Sequence, residues 1–418
     1  MTHSGVLAAC VAGVLGGCLP VSPASDSGPN LLDPTFGDGG TTLKSFGCTD
    51  YASANALVVV DGGFVAGGGA CQGWALVGYS HNGAIDPSFG DAGTALLFSG
   101  TSDFAQIDQL LVRPDGRLLV RGTRRSGTTL RQLSASGAED TAFTATVDQA
   151  LSYRNITLVN GMWLQADGKV LLAFGTTLYR MLPDGSLDAS FGVGGAVVVQ
   201  LFNSSPTLSC LLVQPDGKIV LCGADSGDSV DPTFVARLSA DGALDPTFGS
   251  GGVMKVKAPA GSRLMLRSAA LQGDGKLVLA GMIRGLSSAP WRAAVWRITP
   301  GGAFDETFGA RGKAEPYPGL GASIFSAVAV LGEGKVLAAG SYQGADLQDA
   351  WQLARFTAFG ELDPTFGHAG ATVFAVRIPW SPGGAKALAV TPEGYVIAGM
   401  AYPVTPGPSV FGLARIVP

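Results

Sequence analysis

An acidic residue recurs along this 418-residue chain inside one short motif, which is first seen as LLDPTFGDGG at residues 31–40. Repeated carboxylates could bind Ca²⁺, a cation that requires several converging oxygen ligands. The Asp three residues before the Phe recurs once in each copy, and successive copies lie about 48–60 residues apart when a degenerate copy around Asp140 is counted. Neighbouring Asp residues should therefore lie one structural unit apart, so we interpret the motif as a turn and predict neither a metal nor a cofactor. The six full copies supply Asp33, Phe36, Gly37, Asp86, Phe89, Gly90, Asp188, Phe191, Gly192, Asp245, Phe248, Gly249, Asp305, Phe308, Gly309, Asp363, Phe366 and Gly367.

The residue types of this motif suit a turn between two strands. Asp can accept backbone N–H groups from residues shortly after it, and a following Pro fixes φ. The Phe is large and apolar, and we predict that it fills the gap between adjacent structural units. The Gly after it permits a positive φ. The junction AEDTAFTATV at 138–147 lacks that Gly and is expected to be irregular.

No pattern typical of a catalytic centre accompanies these turns. The chain has three His residues, of which His81 and His368 fall in repeated turn segments and are predicted to be exposed. The net charge of −5 provides no basic surface of the kind that nucleic acid requires. We therefore predict no catalytic residue, no enzymatic activity and no nucleic-acid partner.

The N-terminus has the pattern of an export signal. Residues 5–17 are apolar, too few to span a bilayer, and end in Leu15-Gly16-Gly17-Cys18, which resembles a bacterial lipobox. The resemblance implies cleavage after residue 17 and acylation of Cys18; the alternative is an ordinary signal peptide that is cut elsewhere. We assign 1–17 to a lipoprotein signal peptide and 18–30 to a flexible tether rich in Pro and Ser. The expected location is the outer membrane or cell surface, with the lipid as the only membrane contact.

Four further cysteines would lie in that oxidising compartment, where disulfides form. They allow three pairings. A three-residue loop at 215–217 places Cys210 opposite Cys222, whereas a two-residue loop would put the two on opposite faces. Cys48 and Cys71 follow strands that should end at the same rim. We predict the bridges Cys48–Cys71 and Cys210–Cys222.

Between the Asp motifs lies a second repeated string, in which apolar segments flank a turn of the Pro-Asp-Gly type, as in VQPDGKIVLCG at 213–223. Such strings are typical of β-hairpins, and seven occur. Each period holds four short strands and shows no useful helical pattern. This organisation predicts an all-β, seven-bladed β-propeller of four-stranded antiparallel blades over 31–418, with a β-solenoid or two smaller β domains as alternatives.

The chain ends complement each other. The last strand, within 411–418, has no Asp motif after it, and the copy at 31–40 precedes any complete unit. We therefore expect the N- and C-terminal segments to meet and close the ring, with Phe36 beside the last strand.

An Arg recurs eight residues before the Asp. We predict that it lies on the fourth, outermost strand of each blade, where it protects the edge or pairs with the Asp, and that the segments after the Asp motif, such as TTLKSF and AVVVQL, are first strands. The residues are Arg180, Arg237, Arg297, Arg355 and Arg415.

The strings LDPTFGDGG and PDGKIVLCG at this spacing resemble the delta-60 repeat of bacterial surface and secreted proteins, and the resemblance covers residues 31–418. It implies a propeller-like β fold and carries no established activity.

We expect a lipid-anchored, monomeric module that binds or scaffolds an unidentified surface protein or glycan. The loops opposite the regular turns, such as 223–232 and 341–350, vary most and are the predicted partner site, because loops carry function more often than scaffold does. The alternatives are a hydrolase or lyase acting on a saccharide or lactone, and a structural surface protein without a discrete ligand.

Overall fold

The computed structural model describes residues 8–9, 19–20, 31–48, 51–98, 105–125, 127–152, 161–201, 206–225, 233–256, 262–285, 290–316, 322–343, 349–374, 384–402 and 408–418. A short pair, β1 (Ala8–Ala9) and β2 (Leu19–Pro20), precedes the main body. The rest of the predicted signal peptide and tether, including Cys18, lies outside the described residues. Among the helices that the structure describes, none is long and apolar enough to cross a membrane.

Seven antiparallel sheets, six of four strands and one of three, form the blades. Blade 1 contains β4 (Ser53–Val60), β5 (Gly63–Ala70), β6 (Gly73–Ser80) and β7 (Thr94–Leu97), and blade 2 contains β8 (Ala105–Val112), β9 (Leu118–Arg124) and β10 (Gly127–Leu133). Blade 3 contains β11 (Gly161–Leu164), β12 (Val170–Phe174), β13 (Thr177–Met181) and β14 (Ala196–Val198), and blade 4 contains β15 (Thr207–Val213), β16 (Ile219–Ala224), β17 (Thr233–Leu238) and β18 (Val253–Val256). Blade 5 contains β19 (Ser262–Leu271), β20 (Leu277–Gly285), β21 (Arg292–Ile298) and β22 (Lys313–Ala314), and blade 6 contains β23 (Ala322–Val330), β24 (Val336–Gln343), β25 (Asp349–Phe356) and β26 (Ala371–Phe374), with a 3-10 turn at Gly332–Gly334. Blade 7 contains β27 (Ala385–Thr391), β28 (Gly394–Ala401), β29 (Val410–Ile416) and, from the other end of the chain, β3 (Thr41–Lys44).

The predicted seven-bladed propeller and its ring closure are thereby confirmed. β3 pairs with β29 from Ala414↔Thr41 to Phe411↔Lys44, so the N-terminal segment supplies the fourth strand of the last blade. Phe36 is fully buried and packs with Phe411 and Leu413 on one side and with residues of blade 1 on the other.

The first strand of each blade lies at the centre of the ring. These seven strands contact their neighbours in a closed circle, and the segments after the Asp motif form the outermost, fourth strands: the circle consists of β4, β8, β11, β15, β19, β23 and β27. The sequence-based order was therefore wrong by one strand. The segments after the motif are not first strands, and the recurring Arg lies on the third strand, not on the outer edge. A cyclic repeat has no marked beginning, so its sequence alone does not define which strand is innermost.

Blade 2 departs from the four-stranded pattern, and here the expectation of no helix was wrong. Its sheet has three strands, and a helix, α1 (Thr141–Ser152), follows the third and packs against it. Phe143, Val147 and Leu151 recur at intervals of four and are buried, which is the apolar spacing of a helix. Asp140 caps this helix, because its carboxylate accepts the N–H of Phe143 at 3.0 Å.

The hairpin turns set the register as predicted from a three-residue loop. In blade 4, Val213 pairs with Ile219 and Cys210 pairs with Cys222. Gly217 adopts a φ of 84° at the end of that loop. The antiparallel order places the turns between first and second strands and those between third and fourth strands at one end of the ring, which we call the joint rim. The opposite end, where first strands begin and third strands begin, is the variable rim.

Candidate functional site

The repeated Asp residues lie at the joint rim, and both carboxylate oxygens of most copies already have partners. One oxygen accepts the backbone N–H and the hydroxyl of the Ser or Thr two residues later, as Asp363 does from Thr365 at 3.1 and 2.7 Å. The other accepts from the recurring Arg on the third strand, as Asp245 does from Arg237 at 2.9 Å. Equivalent ion pairs are Arg180–Asp188, Arg297–Asp305, Arg355–Asp363 and Arg415–Asp33.

The Lys of the hairpin string supplies a second positive charge. Lys276 lies 3.3 Å from Asp305 of the same blade, and Lys169, Lys218 and Lys335 make the same contact with Asp188, Asp245 and Asp363 at 3.1, 3.2 and 3.1 Å. The sequence analysis did not anticipate this pairing. The signal was available, because the Lys follows an Asp-Gly or Glu-Gly turn in four hairpin strings that are each followed by an Asp motif.

The Arg also links neighbouring blades. The guanidinium of Arg415 stacks on the ring of Phe36 at 5.0 Å and donates to the carbonyl of His81 in blade 1 at 2.8 Å. The Gly after the Phe contributes a backbone hydrogen bond between blades. Gly37 has a φ of 56° and donates its N–H to the carbonyl of Asn82 in blade 1. The motif is therefore a joint that connects two blades by packing, ion pairs and backbone hydrogen bonds.

Ionised carboxylates are favoured in these joints. Burial alone would raise the pKa of Asp305, but the hydrogen bonds from Thr307 and Lys276 and the charge of Arg297 outweigh it and lower that pKa to about 2. The hydrogen bond from Ser190 is the largest cause of a still lower pKa at Asp188. Within the described residues no group of three or more His, Cys, Asp or Glu side chains is placed to hold a metal ion. The contacts of these carboxylates with Ser or Thr, Arg and Lys side chains assign the joint Asp residues a structural role.

Two joints lack the Arg. Residue 78 is Gly, so Asp86 has no Arg partner at this position. Its carboxylate accepts the N–H and the hydroxyl of Ser88 at 2.9 and 2.7 Å. In blade 2 the position is Gln132, whose amide donates to Asp140 at 2.9 Å. The aromatic contact persists in both, because Phe89 and Phe143 are buried between blades.

The structure also gives the positions of the other predicted site residues. His81 and His368 are exposed in turns at the joint rim, as expected. The structure bonds Cys48 to Cys71, with Cα atoms 5.4 Å apart, and Cys210 to Cys222, with Cα atoms 5.0 Å apart. The first bridge joins the end of the closing segment to the β5–β6 turn of blade 1. The second lies within the innermost hairpin of blade 4.

The inner strands contain the feature that the sequence analysis missed. Six of the seven first strands carry a β-bulge, an extra residue that pairs with nothing on the second strand, at the equivalent position. The extra residue is polar in every case: Asn55, Asp108, Ser209, Arg267, Ser326 and Lys386. The residue before each bulge is buried, whereas the bulge residues are half-buried or, for Arg267 and Lys386, exposed. Because second strands and neighbouring blades block the other directions, we place these side chains at the central channel near the variable rim.

A glycine at the end of the hairpin string makes each bulge possible. A Cβ on Gly340 would lie 1.9 Å from the carbonyl oxygen of Ile324, and one on Gly281 would lie 2.0 Å from that of Met265. The bulge presses this carbonyl onto the second strand, so no side chain fits there. Blade 3 has Phe174 at this position, and β11 shows no bulge over Gly161–Leu164. The recurring Gly, read together with a polar residue on the preceding strand, was the signal that could have identified these positions.

Asp108 is the one acidic side chain among these six bulge residues. It accepts a hydrogen bond from Gln106 at 3.0 Å and lies 3.9 Å from Arg121 on the second strand of the same blade. Burial lowers the pKa of Arg121, and the charge of Asp108 opposes that effect. Asn55 donates to the carbonyl of Ile107 in blade 2 at 3.1 Å, which ties the two bulges together. The channel mouth therefore combines a fixed polar network in blades 1 and 2 with exposed cations in blades 5 and 7.

Comparison with solved structures supports the fold. The ulvan lyase of polysaccharide lyase family PL25, in a structure with bound -[GlcA(1-4)Rha3S]-, is 9% identical with a TM-score of 0.52, and 90% of this chain aligns with 96% of that one. The polysaccharide lyase Uly1 is 12% identical with a TM-score of 0.50, over 90% of this chain and 93% of that one. The extracellular domain of a one-component system from B. thetaiotaomicron is 12% identical with a TM-score of 0.46, and this chain spans 40% of its length. At these identities the likeness to the two lyases concerns the fold alone.

No curated protein sequence matches the chain significantly. A family model described as "Domain of unknown function (DUF5122) beta-propeller" matches residues 165–191, 214–248, 272–308 and 333–366. Each matched segment runs from a hairpin turn to the Phe of the following joint, once in each of blades 3 to 6. The matches thus support a family of propeller repeats for this chain.

Proposed function

We propose that this protein is an exported propeller of the delta-60 repeat type that binds a surface protein or glycan at the variable rim and channel mouth. One observation carries the proposal: the side chains at the joint rim are engaged in holding blades together, whereas the cationic side chains of Arg267 and Lys386 at the channel mouth are exposed. A scaffold uses its regular turns for stability and presents its irregular end to ligands. The predicted partner loops 223–232 and 341–350 belong to that end, although residues 226–232 and 344–348 lie outside the described residues.

The entry point of the chain agrees with this orientation. Leu31 accepts a hydrogen bond from Val417 at 2.8 Å, and Asp33 donates its N–H to Arg415 at 2.9 Å, so the chain joins the propeller at the joint rim. If Cys18 carries a lipid, the residues between it and Leu31 span at most about 40 Å. The joint rim would then face the membrane, and the variable rim would face outward.

The anchor and the binding role require separate experiments. Membrane fractionation with labelled fatty acid tests the anchor: wild type should carry label and sediment with membranes, and Cys18→Ser should lose both. Crosslinked capture on intact cells tests the binding role. Replacing 226–232, which follow strand β16 and the buried Asp225, by a Gly/Ser segment of equal length should abolish capture without changing the thermal midpoint. Arg311→Gln at the joint rim should leave capture intact. Equal capture by all three proteins would contradict binding at the variable rim.

A second candidate function is a lyase or hydrolase acting on a saccharide. The corrected strand order favours it more than the sequence did, because Asp108, Arg267 and Lys386 lie on true inner strands. Incubation with acidic and neutral polysaccharides, followed by size-exclusion analysis, tests this activity. Shortening of a polysaccharide by wild type and not by Asp108→Asn would establish the enzyme; unchanged chain lengths would leave binding alone.

A further inference from the structure

Blade 5 concentrates positive charge at the variable rim in a chain whose net charge is −5. Along β19, Leu264 and Leu266 are buried against blade 4, and the alternate residues Arg263, Met265 and Arg267 are exposed. Arg263 and Arg267 are four residues apart on this strand, about 13 Å at their Cα atoms, and Arg267 is the extra residue of the bulge. β19 and β20 both contact β23 of blade 6.

A third Arg joins them on the second strand. Arg263 pairs directly with Arg284 of β20, which brings two like charges side by side on one face. Like charges in this position destabilise a sheet. Within the described residues, the guanidinium groups of Arg263, Arg267 and Arg284 form neither an ion pair nor a hydrogen bond. This pairing therefore carries a cost to stability for which the described residues supply no compensating carboxylate.

An aromatic ring lies beside this cluster. The guanidinium of Arg284 lies 5.4 Å from the ring centre of Trp291, which immediately precedes β21 and is partly exposed. Indole offers a flat apolar face, and guanidinium groups bind planar oxyanions through paired hydrogen bonds. This arrangement of charges and aromatic surface matches an extended ligand that carries anionic groups at intervals and has apolar ring faces between them.

We propose that Arg263, Arg267 and Arg284, together with Trp291, form a subsite for an acidic saccharide that carries carboxylate or sulfate groups. The inference rests on the proposed binding function and specifies its ligand class. The site is distinct from the joints, where every recurring Arg faces an Asp of its own chain. Its affinity should fall with ionic strength, because exposed charge pairs are screened by salt.

Titration of the purified full-length protein tests the subsite. The probes are polygalacturonate for carboxylates, dextran sulfate for sulfates, neutral dextran, and double-stranded DNA as an unrelated polyanion. Arg263→Gln and Arg267→Gln should each weaken binding of an acidic polysaccharide at least about tenfold, because each removes a charge-assisted contact. Arg263→Lys should retain part of the affinity. Arg311→Gln, with the same charge change at the joint rim, should bind as wild type does.

The thermal midpoint provides a second measurement. If Arg263 stabilised the fold, its substitution would lower this midpoint. Arg263→Gln should leave the thermal midpoint unchanged or raise it, since it removes the repulsion from Arg284. A lower midpoint with unchanged binding would overturn the proposal, as would DNA binding equal to that of the polysaccharides. Binding of neutral dextran alone, or no polysaccharide binding combined with successful capture on cells, would overturn the acidic ligand and leave the proposed function standing. Loss of both polysaccharide binding and capture would overturn both.

Discussion

The side chain of Arg415 donates to the carboxylate of Asp33 at 2.7 Å, although the two residues are 382 positions apart in the sequence. The contact reproduces, across the two ends of the chain, the ion pair that four other blades form between residues eight apart. The last joint therefore uses the same chemistry as the local ones.

Loss of this closing ion pair should destabilise the whole ring. Asp33→Asn leaves the nearly buried guanidinium of Arg415 without its counter-charge, so the free energy of unfolding should fall by about 3 kcal/mol. Asp86→Asn is the matched control, because residue 78 is Gly and no Arg is orphaned. It should cost about 1 kcal/mol or less. Urea unfolding of both variants measures the difference, and equal losses would show that the Arg contributes nothing specific to closure.

The joints should make the protein sensitive to strong acid. Asp305 and Asp363 have pKa values of about 2 in the folded protein, below the value of about 3.9 in an unfolded chain. Their stabilisation is complete above the unfolded pKa and is lost as the pH falls from about 4 to about 2, by about 2 kcal/mol for each carboxylate. Urea midpoints measured across this interval test the effect. Asp305→Asn should flatten the pH dependence, and an unchanged slope would remove Asp305 as a contributor.

The bulges of the inner strands should depend on their glycines. Gly340→Ala would place a Cβ 1.9 Å from the carbonyl oxygen of Ile324, so the bulge must shift or the strands must separate. We expect the free energy of unfolding to fall by about 1–3 kcal/mol. Gly273→Ala has nothing within 4 Å of the added atom and should be nearly neutral. If both variants unfold at the same urea concentration, the proposed fit between bulge and glycine is wrong.

The disulfide between Cys48 and Cys71 should reinforce ring closure. It links the segment after the closing strand to a turn in which Cys71 and Gln72 both adopt positive φ, at 51° and 60°, a conformation unfavourable for residues other than Gly. Reduction, or Cys48→Ser with Cys71→Ser, should lower the free energy of unfolding by about 3 kcal/mol. Non-reducing peptide mapping of the wild type checks the pairing itself. Free thiols, or a link between Cys48 and Cys210, would contradict it.

Features that residues close together in the chain specify could be predicted from the sequence. The hairpin register of Val213 and Ile219 depended on a three-residue turn, and the helical spacing of Phe143, Val147 and Leu151 was also present locally, although it was overlooked. The strand that is innermost could not be identified in the same way, because every phase of a cyclic repeat fits the pattern equally well. Because outermost strands such as β3 and β14 were assigned as innermost strands, the polar residues of the true first strands were not identified as a candidate site.

The sequence by itself determined the repeat, its turns and the complementarity of its two ends, because these depend on residue types at short or regular spacing. Turn residues, alternating apolar positions and the Asp motif specify strands and joints wherever they occur. Only the tertiary structure decided which charges compensate one another. Lys276 and Asp305 lie 3.3 Å apart, whereas Arg263 faces Arg284 across a strand pair, and this difference arises from register and blade packing. The same residue type is therefore a structural partner at the joint rim and a candidate ligand group at the variable rim.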